Sequence, residues 1–139
     1  RHPHSQIIGL EDYDYHEDIT VKNMEGWLLH EDQDVRITLS KHPIIGFFEY
    51  NLRYKPDAPV RSIAIRLQQT IRYVLDSLSK FSQSYNYFFY QLEDGYEYIK
   101  VIPRYITTPL YVGYKIPQTC NDERAAKILH NITPYFELK

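Results

Sequence analysis

Cysteine is almost missing from this 139-residue sequence, in which Cys120 stands alone. That excludes an internal disulfide and any CxxC metal knuckle within the chain, and makes a reducing cytoplasm the simplest expected compartment. An excess of either charge is missing too, because 16 Lys and Arg stand against 18 Asp and Glu for a net charge of −2. No basic field marks the chain as a binder of nucleic acid or anionic membrane. No apolar run approaches the roughly 18 residues of a membrane span, and no charged n-region with an apolar h-region opens the chain. A soluble protein is expected. Internal repeats and low-complexity tracts are also absent, so the length suits one domain with one core.

Tyrosine, by contrast, is abundant at 14 residues. It suits half-buried strands and surfaces that meet polar ligands. Residues 6–10 (QIIGL) read as a buried strand continuing an extended start, because Pro3 disfavours helix for the residue before it. Residues 11–18 (EDYDYHED) read as a solvated acidic loop, with a carboxylate metal site as the alternative. Trp27 before two leucines reads as core. Val35, Ile37 and Leu39 then alternate with Arg36 and Thr38, the period of a strand with one wet face.

Residues 46–54 predict a second strand, and KPDAP after it is a break. Ile63, Leu67, Ile71, Val74, Leu75 and Leu78 predict one stripe of an amphipathic helix over 61–80. YNYFFYQL and YEYIKVI form a hairpin through Asp94-Gly95, a dipeptide suited to positive φ. Its Tyr85, Tyr87, Tyr96 and Tyr98 recur at period two, which fits either a pocket lining or cross-strand packing. The segment 103–117 is punctuated by three prolines and reads as an ordered excursion. A closing helix is expected from Asn121 or Asp122 to about Ile132, with Ala125, Ile128, Leu129 and Ile132 inward. The order predicts an α+β fold: an antiparallel sheet with one long packed helix and a C-terminal helix.

The chemistry concentrates at the start, in His2-Pro3-His4-Ser5-Gln6. In an extended segment His2, His4 and Gln6 share one face, about 7 Å apart along the chain. Such a row has three readings. A neutral histidine can attack phosphorus while a neighbouring amide holds the phosphoryl oxygens, giving covalent nucleotidyl transfer. HxH on a strand can also be half of a metal site. The third reading is a pair of surface histidines or a tag remnant. His16, His30, His42 and His130 sit in polar or turn contexts and are assigned to surface or loop positions.

The string HPHSQ followed by an apolar strand resembles the active-site motif of galactose-1-phosphate uridylyltransferases, in the histidine-triad (HIT) superfamily. A second stretch, VIPRYITTPLYVGYKI, resembles the late segment of the same enzymes, where a strand end leads to a loop closing in Val-Gly-Tyr. The resemblance is strong at residues 2–8 and 101–116, and implies that residues 1–139 are the HIT-like C-terminal half preceded by the catalytic strand. It implies a ping-pong nucleotidyltransferase in which His4 attacks the α-phosphorus of a nucleotide sugar. A sugar 1-phosphate leaves, and a second phosphate acceptor takes the nucleotidyl group.

By the same resemblance Gln6 would hydrogen-bond the phosphoryl oxygens, with Ser5 beside it. His2 would ligate zinc only together with upstream partners, so no cofactor is expected in this chain and zinc only in a full-length protein. Val112, Gly113 and Tyr114 would reach the sugar across a homodimer. Lys115 stands where the uridylyltransferases usually carry an acid, which puts galactose in doubt and suits a phosphate or carboxylate instead. Tyr98 and Lys100 stand where some relatives use His-x-His for a second metal, so no metal is expected there. Lys100 and Arg104 are candidates for holding phosphate, the alternative being solvated strand charges. Activity should need the first half, which builds the nucleotide pocket. A phosphorylase with the same nucleophile and a noncatalytic nucleotide-binding domain are the alternatives.

Overall fold

Period-two alternation builds the sheet that organises the molecule. In the computed structural model, which describes residues 6–9, 11–44, 48–77, 84–103 and 120–137, β1 (Gly26–Glu31) and β2 (Val35–Ser40) form a hairpin. β3 (Tyr50–Tyr54) pairs with β2, and the second hairpin, β4 (Tyr85–Gln91) and β5 (Glu97–Pro103), joins through β5. All neighbours are antiparallel in the order β1-β2-β3-β5-β4. This is the expected α+β architecture, with α1 (Val60–Ser77) and α2 (Asp122–Phe136) completing it.

Val35, Ile37, Leu39, Tyr50, Leu52, Ile99 and Val101 line one face of the sheet and form the main core with Tyr73 and Val74 of α1 and Ile128, Ile132 and Phe136 of α2. The helices meet through Tyr73 and Tyr135, whose rings stand edge to face at 5.4 Å, and the Tyr135 hydroxyl donates to Asp76 Oδ2 at 2.6 Å. Asn121 caps α2 by accepting from the Arg124 amide at 2.9 Å, as its residue type favours.

Two glycines are fixed by geometry. Gly95 turns the β4–β5 hairpin at φ 81°, a conformation that favours glycine. At Gly26 a Cβ would lie 1.7 Å from the Leu39 carbonyl oxygen, so β1 can approach β2 there only without a side chain.

Several expectations are corrected. Residues 6–9 form no strand, and Ile7 and Ile8 are 93% and 79% exposed. β3 covers Tyr50–Tyr54 and is shorter than the expected 46–54, of which residues 46 and 47 lie outside the described residues. α2 runs on to Phe136 through Pro134; Ala125, Ile128 and Ile132 face inward as expected, joined by Phe136, whereas Leu129 is exposed. Trp27 is at the rim of the core, half-buried, with Nε1 donating to Asp122 Oδ1 at 2.8 Å. The segment 103–117 lies outside the described residues beyond Pro103. Among the described residues no helix is long and apolar enough to cross a membrane.

Candidate functional site

The second face of the sheet is built differently. Thr38 and Ser40 of β2, Asn51 of β3 and Lys100 of β5 bring polar groups to it, with Thr38 opposite Asn51 and Asn51 opposite Lys100 in the strand register. The chain covers them with residues 15–24, whose Tyr15, Ile19, Val21 and Met24 pack with Leu92 and Tyr98. A single 3-10 turn, Val21–Asn23, puts two main-chain carbonyls over the polar row. The Asn23 carbonyl accepts from Ser40 Oγ at 2.6 Å and Lys100 Nζ at 3.0 Å. The Met24 carbonyl accepts from Thr38 Oγ1 at 2.7 Å and Asn51 Nδ2 at 3.2 Å.

At the centre of this row Lys100 is fully buried. Its ammonium donates to Glu49 Oε1 at 2.8 Å and Ser40 Oγ at 3.0 Å, and Glu49 is fully buried as well. Burial pushes the lysine down from its ordinary value, while the Glu49 charge and hydrogen bond oppose that shift. Lys100 is therefore neither a solvated strand charge nor a free phosphate ligand. It is the internal cation of a closed polar network, and Asn51 Oδ1 is the buried side-chain acceptor in that network with no donor among the described residues.

A second polar hub fastens the helices. Asp32 closes the β1–β2 turn by accepting the amides of Asp34 at 2.8 Å and Val35 at 2.9 Å. It also meets His30 Nε2 at 3.0 Å and accepts from Arg66 Nε at 2.8 Å. Arg66 in turn donates to the Phe136 carbonyl at 2.9 Å, so one guanidinium joins the turn, α1 and the end of α2. Burial raises the Asp32 carboxyl, but the Val35 and Asp34 amides, His30 and Arg66 outweigh it and hold the group well below the usual carboxylate range. His30 is thus on a strand, half-buried against the Phe136 ring at 4.9 Å, and not a loop histidine.

The acidic stretch 11–18 is a largely exposed loop, and Tyr15 and His16 within it grip the end of β4. The Tyr15 hydroxyl accepts from the Gln91 amide at 2.8 Å, and His16 Nε2 lies 2.9 Å from the Gln91 carbonyl. Asp14 Oδ1 is 2.6 Å from His16 Nδ1, and this hydrogen bond, with that to Gln91, raises the histidine above its ordinary 6.5. Among the described residues no cluster of three or more His, Cys, Asp or Glu could hold a metal ion.

A shallow cleft of about 370 Å³ lies where the β1–β2 turn meets the end of β3, with Asp32, Arg36, Arg53, Lys55 and Tyr96 among its walls. Its charges are of both signs, and Gln6, the one motif residue described, is not among its walls. Of the four hairpin tyrosines, Tyr96 lines this cleft under Arg53, whose guanidinium carbon is 4.2 Å from the ring centroid. Tyr98 is buried with its hydroxyl on Asp94, and burial followed by that hydrogen bond pushes its pKa upward. Tyr85 and Tyr87 stack on each other at 6.1 Å on the helical side. The four do not make one pocket.

Gln6 is exposed. His2, His4, Ser5, Arg104, Val112, Gly113, Tyr114 and Lys115 lie outside the described residues. The Lys100–Glu49 pair and the Asp32–Arg66 hub are what sequence reading missed. Their partners are far apart in the chain, 51 and 34 residues respectively. The available signals were a lysine between Ile99 and Val101 on a hairpin strand, and an aspartate opening the turn DQDV.

These features define a class: an α+β domain in which helices back one face of a five-stranded antiparallel sheet and a strap closes a polar row on the other. The chain belongs to the DUF4931 family, and residues 16–136 match the C-terminal domain of that family, a domain of unknown function. It is similar to a DUF4931 family protein from Bacillus cereus whose crystal structure is known, with 33% identity and a TM-score of 0.76. The match covers 94% of this chain and 58% of that protein, so the chain spans a little over half its relative's length. No curated protein matches the chain.

Proposed function

We propose that this domain is the acceptor-side half of a nucleotidyltransferase that works through a covalent nucleotidyl-histidine. The observation that carries the reading is the string His2-Pro3-His4-Ser5-Gln6, set on the lead into a five-stranded α+β domain. In this reading the neutral His4 imidazole attacks the α-phosphorus of a nucleotide sugar and the bond to the sugar 1-phosphate breaks. A phosphate acceptor then attacks the same phosphorus and frees His4. Gln6 donates to the phosphoryl oxygens, for which an exposed carboxamide suffices. Val112, Gly113, Tyr114 and Lys115 meet the sugar or acceptor across a homodimer, Lys115 favouring an anionic group. Lys100 has no part in this scheme, because its ammonium is committed to Glu49.

The test is to incubate a chain carrying both halves with nucleotide sugars labelled at the α-phosphate. The expected product is a protein adduct labile to acid and stable to base, lost in His4→Gly. No adduct with any nucleotide sugar would overturn the reading, and an adduct surviving in His4→Gly would overturn the choice of nucleophile. Discharge of the adduct by inorganic phosphate instead of a sugar 1-phosphate would make the enzyme a phosphorylase.

A further inference from the structure

The polar row under the strap continues one rank beyond it. Side chains two residues apart on a strand share a face, so Arg36 of β2 lies on the face of Thr38 and Ser40, and Arg53 of β3 on the face of Asn51. The Asn23 and Met24 carbonyls meet Thr38, Ser40, Asn51 and Lys100, but neither arginine. Arg36 and Arg53 are only half-buried, and both line the cleft of about 370 Å³ at the end of the sheet.

The two arginines stand directly opposite each other in the strand register. Like charges so placed, with Cα atoms about 5 Å apart, destabilise the pair of strands. Glu31 offsets one of them, at 3.1 Å from Arg36, but both partners are more than a third exposed and such a pair is weak. Arg53 lies over the Tyr96 ring at 4.2 Å, and among the described residues no acceptor meets its N–H groups. Its fork is thus held in place with its donors uncommitted, and Lys55 adds a third cation to the same walls. The acids of the cleft fall into two kinds. Asp32 is committed to Arg66 and His30, whereas Asp34 and Asp57 have no cation paired with them among the described residues.

We propose that this cleft binds a small phosphorylated polyol, with its phosphate between Arg36 and Arg53 and its hydroxyls donating to Asp34 and Asp57. A carboxylate offers two oxygens, which a single fork takes up. The three terminal oxygens of a phosphate monoester can accept from two forks and from Lys55 as well. Hydroxyls donate to carboxylates without bringing charge of their own, so one ligand of this class satisfies walls of both signs. The cleft has the size of a small-ligand site, roughly 300–1,000 Å³. The proposal is independent of the chemistry at His4.

The side-chain Nε–Hε resonances of Arg36 and Arg53 test it, followed by NMR while the 139-residue chain is titrated with glycerol 3-phosphate, inorganic phosphate, glycerol and glycine in separate series. Glycerol 3-phosphate should shift both arginines to saturation and bind at least about threefold more tightly than inorganic phosphate, while glycerol and glycine shift neither. Arg36→Gln should weaken glycerol 3-phosphate at least about tenfold, and the unliganded variant should melt no lower than wild type, since a like-charge pair is relieved. Asp34→Ala combined with Asp57→Ala should bring glycerol 3-phosphate down to the affinity of inorganic phosphate. No saturable shift with either phosphate, or unchanged affinity in Arg36→Gln, would overturn the proposal. Tighter binding of glycine than of glycerol 3-phosphate would also overturn it, by making a zwitterion the ligand. A preference for glycerol 3-phosphate that survives in the double aspartate variant would overturn the assignment of the hydroxyls.

Discussion

The two faces of the sheet solve burial by opposite means. On the helical face Ile37, Leu52, Val74 and Ile132 are fully buried, and packing alone holds them. On the strapped face Lys100 and Glu49 are fully buried too, and directed hydrogen bonds hold them. An apolar core tolerates a change of shape in proportion to the volume lost, whereas a buried ion pair fails when either charge loses its partner. The difference shows why equal burial does not mean equal tolerance.

The largest effect should follow Glu49→Gln, which keeps the side-chain shape and leaves the Lys100 ammonium without a counter-charge. Destabilisation of about 3 kcal/mol or more is expected in urea unfolding. Glu49→Leu combined with Lys100→Met should recover most of that loss, since an apolar pair needs no partner. If the double variant is no better than the single, the strap depends on Lys100 for its donors and the two faces differ less in kind.

On the helical face Ile37→Val removes one methylene from a fully buried site and should cost about 1 kcal/mol by the same measurement. A cost matching Glu49→Gln would erase the contrast.

The smallest effect lies at the exposed end of the strap. The His16 pKa is raised in the folded chain by Asp14 and the Gln91 carbonyl. Its contribution is therefore fully present below the unfolded value near 6.5 and is lost as pH rises through the higher folded value. The stability difference between wild type and His16→Gln should shrink from about pH 5.5 to pH 9, read by thermal melts across that range. A difference that grows with pH would mean that the neutral ring makes the contact.

Alternation and helical spacing made the elements legible because each is a local property. β2 follows from Val35, Ile37 and Leu39, the β4–β5 hairpin from Asp94-Gly95, and the start of α2 from Asn121. Ends were less legible, because tertiary contacts decide them. Phe136 keeps α2 going past Ile132 by packing against the core and His30. The strapped face was misread for a related reason. Alternation assigns Thr38, Ser40, Asn51 and Lys100 to a wet side, and only the fold reveals that residues 15–24 dry it. Of the motif, the structure describes Gln6 alone, and it corrects the expected strand at 6–10 to exposed chain over the described residues 6–9.

Gly26 carries a consequence for how this sequence can drift. A Cβ there would meet the Leu39 carbonyl oxygen at 1.7 Å, the carbonyl carbon at 2.7 Å and the Lys41 amide nitrogen at 2.9 Å, all of them backbone. No compensating change of a neighbouring side chain can make room, because no side chain is in the way. Substitution at this position must move β1 off β2, and with it the Lys41 amide bonded to the Glu25 carbonyl beside the strap. A lineage can exchange the hydrophobes of the core for one another, but it inherits this hydrogen atom unchanged.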